Sequence, residues 1–403
     1  MFVSRIKEFV EQGFLRMKKF TSGENTYYIV NYNEEYKNDE KYAAYKSVIL
    51  SADEQGEPDH ILAFAPPHSV NYDEFKESLQ YEMPEEIVAN NAIEGTMIQL
   101  FYDCRIQKWN IATRASIGGN NWYYGTGTLD KIHKTFRSMF MDCLNGAETL
   151  DEAFADWPKT NSYCFVLQHP DNQIVFDVKE PMLYLVAGYR ILTNNDGCSS
   201  DDIRDWVVGL SIDELNQIVK MNDNSKMIVP QPYTFSRRFD ELECVFRDAD
   251  NCMGVMFWNT KTGQRAHMEN SKYNALREIR GNHPNLMFHF LELNRAGKAF
   301  AFLEVFPRYT QQFKEYYDMI IYFAYMVYGA YVNYYMKRDR SNVIPKEYFV
   351  FAAKIHHEIY VPNKKAGNEV HITPLLVRNY IENVEPIKLV HYLKTMNIDA
   401  THM

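Results

Sequence analysis

Tryptophan is scarce and cysteine unpaired in this chain of 403 residues, which has 5 Trp and 6 Cys, with no CxxC spacing. Without a dense cysteine framework, a secreted, disulfide-stapled fold is not expected. Cys104, Cys143, Cys164, Cys198, Cys244 and Cys252 read as thiols in a reducing compartment. Positive charge is also in deficit. Lys and Arg number 43 against 53 Asp and Glu, a net of −10. No whole-protein field would draw in a polyanion, so any nucleic-acid contact must come from a local patch. Export signals are missing too, because MFVSRIKEFVEQGFLRMKKF carries scattered charges and no apolar run before a small-residue cleavage site. The single membrane candidate, the eighteen uncharged residues Met319 to Met336, holds six Tyr and an Asn and reads as a buried helix. The expected setting is cytoplasmic, with neither membrane insertion nor secretion. HExxH, a Cys/His quartet and GxxxxGK[ST] are absent, so zinc hydrolysis and P-loop chemistry have no support and no metal site is expected. There is no repeat and no low-complexity segment.

What the chain does have is tyrosine and phenylalanine. Aromatics make up 15% of it, with 29 Tyr and 25 Phe, more than an interior needs for filling. Many Tyr rings must therefore lie at surfaces, grooves or interfaces. With 46% hydrophobic and 24% charged residues the chain can bury a large core, and its length suggests two domains.

Residues 1 to about 280 alternate short β-rich runs with turn-rich connections: TYYIVNY, HILAFAP, GTMIQLFY, KWNIATR, YCFVLQH, QIVFDV, LYLVAGYRIL and CMGVMFW. Several are continuous apolar runs, which predicts strands covered on both faces. After about 284 long helical stretches take over, several opened by a proline: FPRYTQQFKEYYDMIIYFAYMVYGAYVNYYMKRD, PKEYFVFAAKIHHEIYV, TPLLVRNYIENV and PIKLVHYLKTM. The break at RGNHPN, Arg280 to Asn285, predicts domains at 1–282 and 283–403. Tyr322, Tyr325, Tyr328, Tyr331 and Tyr334 recur every three residues, and three steps of about 100° fall short of a turn. That row winds around the helix, either packing on several sides or leaving an aromatic edge on which bases could stack.

Individual residues leave alternatives open. Gly118–Gly119 and Gly125–Gly127 bracket Trp122, Tyr123 and Tyr124, which could form a turn or a phosphate cradle. His356, His357 and Glu358 are adjacent on a helical stretch, so they diverge by about 100° each and cannot jointly face one metal. Arg114 ends the run WNIATR before small residues, either as a surface arginine or as a cation aimed at a pocket floor. Arg237, Arg238 and Arg265 could form a local basic patch for RNA, or be solvated surface charge.

Six segments in order then carry a resemblance: EGTMIQLFYD, KWNIATRASIGG, TFRSMF, YCFVLQHPDNQIV, MGVMFW and QRAHMENSKYNALREIRGN. Together they resemble the ATP-dependent RNA ligases of the phage type, and in particular ligase-like proteins of large DNA viruses, over roughly residues 60–280. The helical tail is similar to the C-terminal domain of the same group. The resemblance implies an α+β class: a nucleotidyltransferase domain (ATP-grasp-like ligase) with antiparallel sheets, followed by an all-helical C-terminal domain. It also implies a lysine nucleophile in Lys-x-Asp/Glu-Gly that attacks the α-phosphate of ATP. Here Glu94–Gly95 survives, but the nucleophile position is Ala92. The acid expected before a later strand is Met253, whose thioether is a poor Mg²⁺ ligand. The two lysines expected against the phosphates are His267 and Glu269, and Val166 stands where many ligases hold an acid. The binding side is retained by resemblance: Glu94, Gly95, Arg114 near ribose and phosphates, and Phe165 as the ring that stacks on the base.

The resulting expectation is a pseudoenzyme that holds an RNA end, a nucleotide such as ATP or a cap-like group non-covalently, with no covalent cofactor. Two alternatives stand beside it. One is a structural or protein-partner-binding viral protein in the host cytoplasm, suggested by the net charge of −10 and excess Tyr. The other is an active ligase in which Ala92 is engineered or another lysine substitutes.

Overall fold

The computed structural model describes residues 2–22, 25–123, 134–221, 226–234, 236–339, 341 and 343–396; Tyr124, Gly125 and Gly127 lie outside these. The chain divides into two compact units, one formed by residues up to 123 with 134–278, the other beginning at Ile279. The division falls inside the helix Ser271–Arg280.

The first unit contains three sheets. Strands β1 (Leu15–Ser22), β2 (Asn25–Tyr32), β3 (Val48–Ala52) and β4 (Pro58–Ala63) pair antiparallel in that order. A three-stranded sheet runs β14–β13–β5, from β5 (Ile87–Asn91), β13 (Gly254–Asn259) and β14 (Arg265–Glu269). The seven-stranded sheet has the order β11–β10–β9–β6–β7–β8, with β12 (Met227–Ile228) parallel to β10. Its members are β6 (Thr96–Asp103), β7 (Lys108–Thr113), β8 (Ser116–Ile117), β9 (Asn161–Gln168), β10 (Met182–Ile191) and β11 (Val207–Gly209). Around them lie α1 (Phe2–Glu11), α2 (Tyr72–Ser78), α3 (Phe136–Met141), α4 (Leu150–Ala153), α5 (Ile212–Lys220), α6 (Phe239–Phe246) and α7 (Ser271–Arg280).

The continuous apolar runs are the central strands, as patterning implies. In β9 all residues but Gln168 are buried, because Tyr163, Phe165 and Leu167 face one core while Cys164 faces another. The first core packs Phe165 against Phe140 at 5.5 Å and Trp157 at 6.1 Å. QIVFDV is not a strand. The carboxylate of Glu94 captures the Val175 and Phe176 amides at 3.1 Å each, and a segment whose N–H groups bond to a side chain cannot join a ladder.

The glycine after Glu94 is required by close approach. Gly95 has φ +154°, and a Cβ there would lie 2.5 Å from the Leu167 carbonyl oxygen and 2.6 Å from Val166 Cγ1. Gly95→Ala is therefore expected to destabilise this unit by about 2 kcal/mol or more, against under about 0.5 for an ordinary surface substitution. Thermal unfolding of Gly95→Ala beside the unaltered chain measures this, and an unchanged melting temperature would mean that β6 and β9 can separate freely.

The second unit is helical in its described residues: α8 (Leu286–Arg295), α9 (Ala299–Val305), α10 (Thr310–Tyr331), α11 (Lys346–Ile355), α12 (Val361–Lys365), α13 (Pro374–Glu382) and α14 (Pro386–Thr395). Pro374 and Pro386 occupy first-turn positions, and the Thr373 hydroxyl caps α13 by accepting from the Leu376 amide at 3.2 Å. Along α10 the tyrosine row does wind: Tyr331 is buried, Tyr322 and Tyr328 are half-buried and Tyr325 is 69% exposed. Among the described residues no helix is long and apolar enough to cross a membrane.

Candidate functional site

Strand alternation gives the three-stranded sheet two unlike faces. Ile87, Ala89, Val255, Phe257, Ala266 and Met268 pack with Phe75, Phe239 and Leu242 into a core. The other face carries Val88, Asn90, Met256, Trp258, Arg265 and His267, with Met256 opposite both Asn90 and His267. The pairing extends one step past β5, where the Ala92 amide donates to the Gly254 carbonyl at 3.0 Å, so register carries Ala92 to the face of Asn90. Only a methyl group stands there, 9% exposed.

Arg265 looks across to the seven-stranded sheet. Its guanidinium acts on Cys164 and Tyr189, which lie on the side of β9 and β10 opposite Phe165. Burial dominates at Cys164 and pushes its thiol up to about 12, with Arg265 and Lys46 pulling the other way. Arg265 is half-buried and its Nε has no partner among the described residues. His267 is also half-buried with Nε2 unpartnered; burial, opposed by Glu269, holds it below the usual histidine value, so it is neutral at pH 7.

A second cation is one the sequence reading missed. Lys46 is half-buried at the start of β3, and burial first, then Arg265 and Arg114, lower its ammonium to about 8. Its backbone is clamped on both sides. The Tyr45 carbonyl accepts from the Tyr32 amide at 2.7 Å, and the Ser47 carbonyl accepts from Gln99 Nε2 at 2.9 Å. Ser47 itself adopts φ +58°, an uncommon conformation for a residue with a Cβ. The one sequence cue is a lone lysine before VILSA, whose five residues are all buried.

Arg114 is exposed just past β7, with its guanidinium 5.7 Å from the centre of the Tyr32 ring. The Tyr32 hydroxyl lies 3.3 Å from His68 Nδ1, and His68 is lowered by burial and then by Lys46. Lys46, Arg114 and Arg265 thus stand within one electrostatic neighbourhood, and none is in an ion pair among the described residues. Glu34, whose charge also reaches Arg114 and His68, is ion-paired with Lys37 at 3.1 Å.

Other expected site residues fall elsewhere. Phe165 cannot stack on a ligand, since it is fully buried in the core on the far side of β9. The Glu94 carboxylate binds the 175–176 backbone and Gly95 serves the packing of β6 on β9, so both act structurally. Arg237, Arg238 and Arg265 form no patch. Arg238 precedes α6, which packs on the core face of the three-stranded sheet, and it is paired with Asp240 at 2.6 Å. Arg237 donates to the Pro84 carbonyl at 2.8 Å, while Arg265 sits on the opposite face. Met253 is half-buried in the turn before β13, and exposed Glu269 accepts from Asn274 Nδ2 at 2.6 Å. Val166 lies on the cleft side of β9, 8% exposed, against Gly95.

The donors on the cleft face are a thioether, an amide and an imidazole with an unpartnered Nε2, beside guanidinium and ammonium groups. They do not suit a hard divalent cation, and among the described residues no three His, Cys, Asp or Glu side chains converge as a metal set. They do suit phosphate.

Similar solved structures include an archaeal ATP-dependent RNA ligase, 13% identical over 78% of this chain and 70% of that one, with a TM-score of 0.44. A Naegleria gruberi RNA ligase variant with ATP and manganese is 12% identical over 51% of this chain and 54% of its own, with a TM-score of 0.33. No protein-family model matches the sequence, and no curated protein does.

Proposed function

We propose that this chain is an RNA-ligase-like pseudoenzyme, whose cleft holds the phosphates of a nucleotide or of an RNA end without forming a bond to them. The observation that carries this reading is the trio Lys46, Arg114 and Arg265, whose charges act on one another and which have no ion pair among the described residues. Holding the half-buried Lys46 and Arg265 near each other and near the exposed Arg114 without a paired acid is unfavourable, and an anionic ligand offsets that cost. A nucleophile and metal-holding carboxylates, the parts that would turn a bound phosphate into a reacting one, are replaced at Ala92 and Met253.

Equilibrium titration with ATP tests the reading, with saturation expected at roughly micromolar concentration. The pH dependence is specific. Lys46 titrates at about 8 in the free protein, whereas the last proton of the terminal phosphate of ATP is lost mostly by about pH 7, so the ligand gains little further charge up to about pH 9. Binding then requires proton uptake at high pH, and affinity should fall roughly tenfold between pH 7 and 9. Failure to saturate by about 1 mM, or an affinity flat across that range, would remove the basis for a phosphate site at Lys46.

A further inference from the structure

The helical unit holds a second place where charge and aromatic rings converge. Where α10 runs on into the π-helical turn Val332–Met336, and α11 into another at His356–Tyr360, a cavity of about 550 Å³ opens between them. That size falls within the range of about 300–1,000 Å³ typical of small-molecule sites. Single π turns are rare and concentrate at functional sites. Here two face each other across one cavity.

The rings form a ladder. Tyr335 stacks on His356 with centroids 3.8 Å apart and planes 14° apart, and His356 stacks on Tyr360 at 5.1 Å and 22°. Burial, with His357 and Lys364 adding to it, lowers the His356 imidazolium, so the middle rung is a neutral ring at pH 7. Three exposed cations, Arg338, Lys364 and Lys365, complete the lining, and none is ion-paired among the described residues. Lys364 Nζ lies 5.7 Å from the Tyr360 ring centre. Nearby acids are engaged: Glu358 accepts from the Tyr380 hydroxyl at 2.7 Å, and Asp339 from Ser341 at 2.6 Å. In a chain of net charge −10, this is the kind of local basic patch that a nucleic-acid contact requires.

Planar rings beside unneutralised cations match a nucleobase with flanking phosphates better than an acidic peptide, which would use the charges and leave the ladder idle. We propose that this cavity binds single-stranded RNA, one base stacking against the Tyr335–His356–Tyr360 ladder while Arg338, Lys364 and Lys365 hold adjacent phosphates.

Fluorescence anisotropy on the full chain tests it, using a labelled single-stranded oligoribonucleotide with a 5′-hydroxyl so that no phosphorylated end is offered. Lys364→Glu combined with Lys365→Glu alters only exposed side chains, so folding should be retained. It should weaken binding at least tenfold and flatten the dependence of log K on log salt by about 1.4, for two phosphate contacts. Tyr360→Ala should cost roughly 5- to 100-fold, and Tyr360→Phe should keep wild-type affinity because the ring, not the hydroxyl, stacks. Wild-type affinity in the double lysine variant would overturn the proposal. Displacement of the RNA by polyglutamate as readily as by unlabelled RNA would instead mark a site for acidic protein and also overturn it.

Discussion

ATP labelled at the α-phosphate is expected to leave no AMP on this protein, even after long incubation with magnesium or manganese. Adenylylation needs an amine in line with the α-phosphorus, and position 92 supplies a methyl group. Restoring the amine is not expected to be enough. Ala92→Lys would place a nucleophile beside Met253, neutral His267 and anionic Glu269, where positioned charge should stabilise the leaving pyrophosphate. Each missing stabilising group is worth roughly 10²–10³ in rate, so Ala92→Lys should remain about 10⁴-fold or more below an active ligase. Vigorous labelling of Ala92→Lys would show that the other three departures matter little. Labelling of the unaltered chain, traced by peptide mapping to Lys46, would refute the inactive reading, since that desolvated amine at about 8 is chemically capable of attack.

The second large effect is a trade between binding and stability at Lys46. Lys46→Met should weaken ATP binding by about 2–3 kcal/mol, roughly 30- to 150-fold, through loss of one charge-assisted contact. The same substitution should make the ligand-free protein more stable at pH 7, with a melting temperature about 2–3 °C higher, because it removes a desolvated charge from beside two others. Linkage gives this a pH signature. The folded protein holds the Lys46 proton less tightly than the unfolded chain, about 8 against 10.5. Below pH 8 both states are protonated and the folded state carries the full penalty. From pH 8 to 10.5 the unfolded chain binds more protons, so the penalty fades as pH rises. The stability difference between Lys46→Met and wild type should therefore be largest near neutrality and shrink through that window. Equal destabilisation at all pH values would mean that the lysine stem is needed for packing and its charge is harmless.

Much of the fold was legible because continuous apolar runs and proline-opened helices are strong local signals. β6, β7, β9, β10 and β13 and the helices α10, α11, α13 and α14 lie where those patterns put them. The same continuity hid the site. In a strand buried on both faces, alternation does not say which side meets the cleft, and Phe165 fell on the wrong one. QIVFDV has the composition of a strand, but the partner that captures its backbone is a carboxylate about eighty residues earlier, a tertiary fact that no local pattern contains. Lys46 was silent because a single lysine beside an apolar strand usually reaches solvent. The basic patch failed for a topological reason: Arg238 and Arg265 belong to opposite faces of one sheet. In the helical unit, His356 was weighed only beside its sequence neighbours His357 and Glu358, whereas its stacking partners are Tyr335, from another helix, and Tyr360, one turn on.

The trio of uncompensated cations also ties the protein's persistence to its surroundings. An empty cleft keeps the native state under electrostatic tension, and an occupying anion relaxes it by an amount that grows with the logarithm of ligand concentration. Resistance to heat and to proteases should accordingly track the supply of that anion, so on the proposed reading the abundance of this chain would serve as a readout of phosphorylated metabolites or RNA ends.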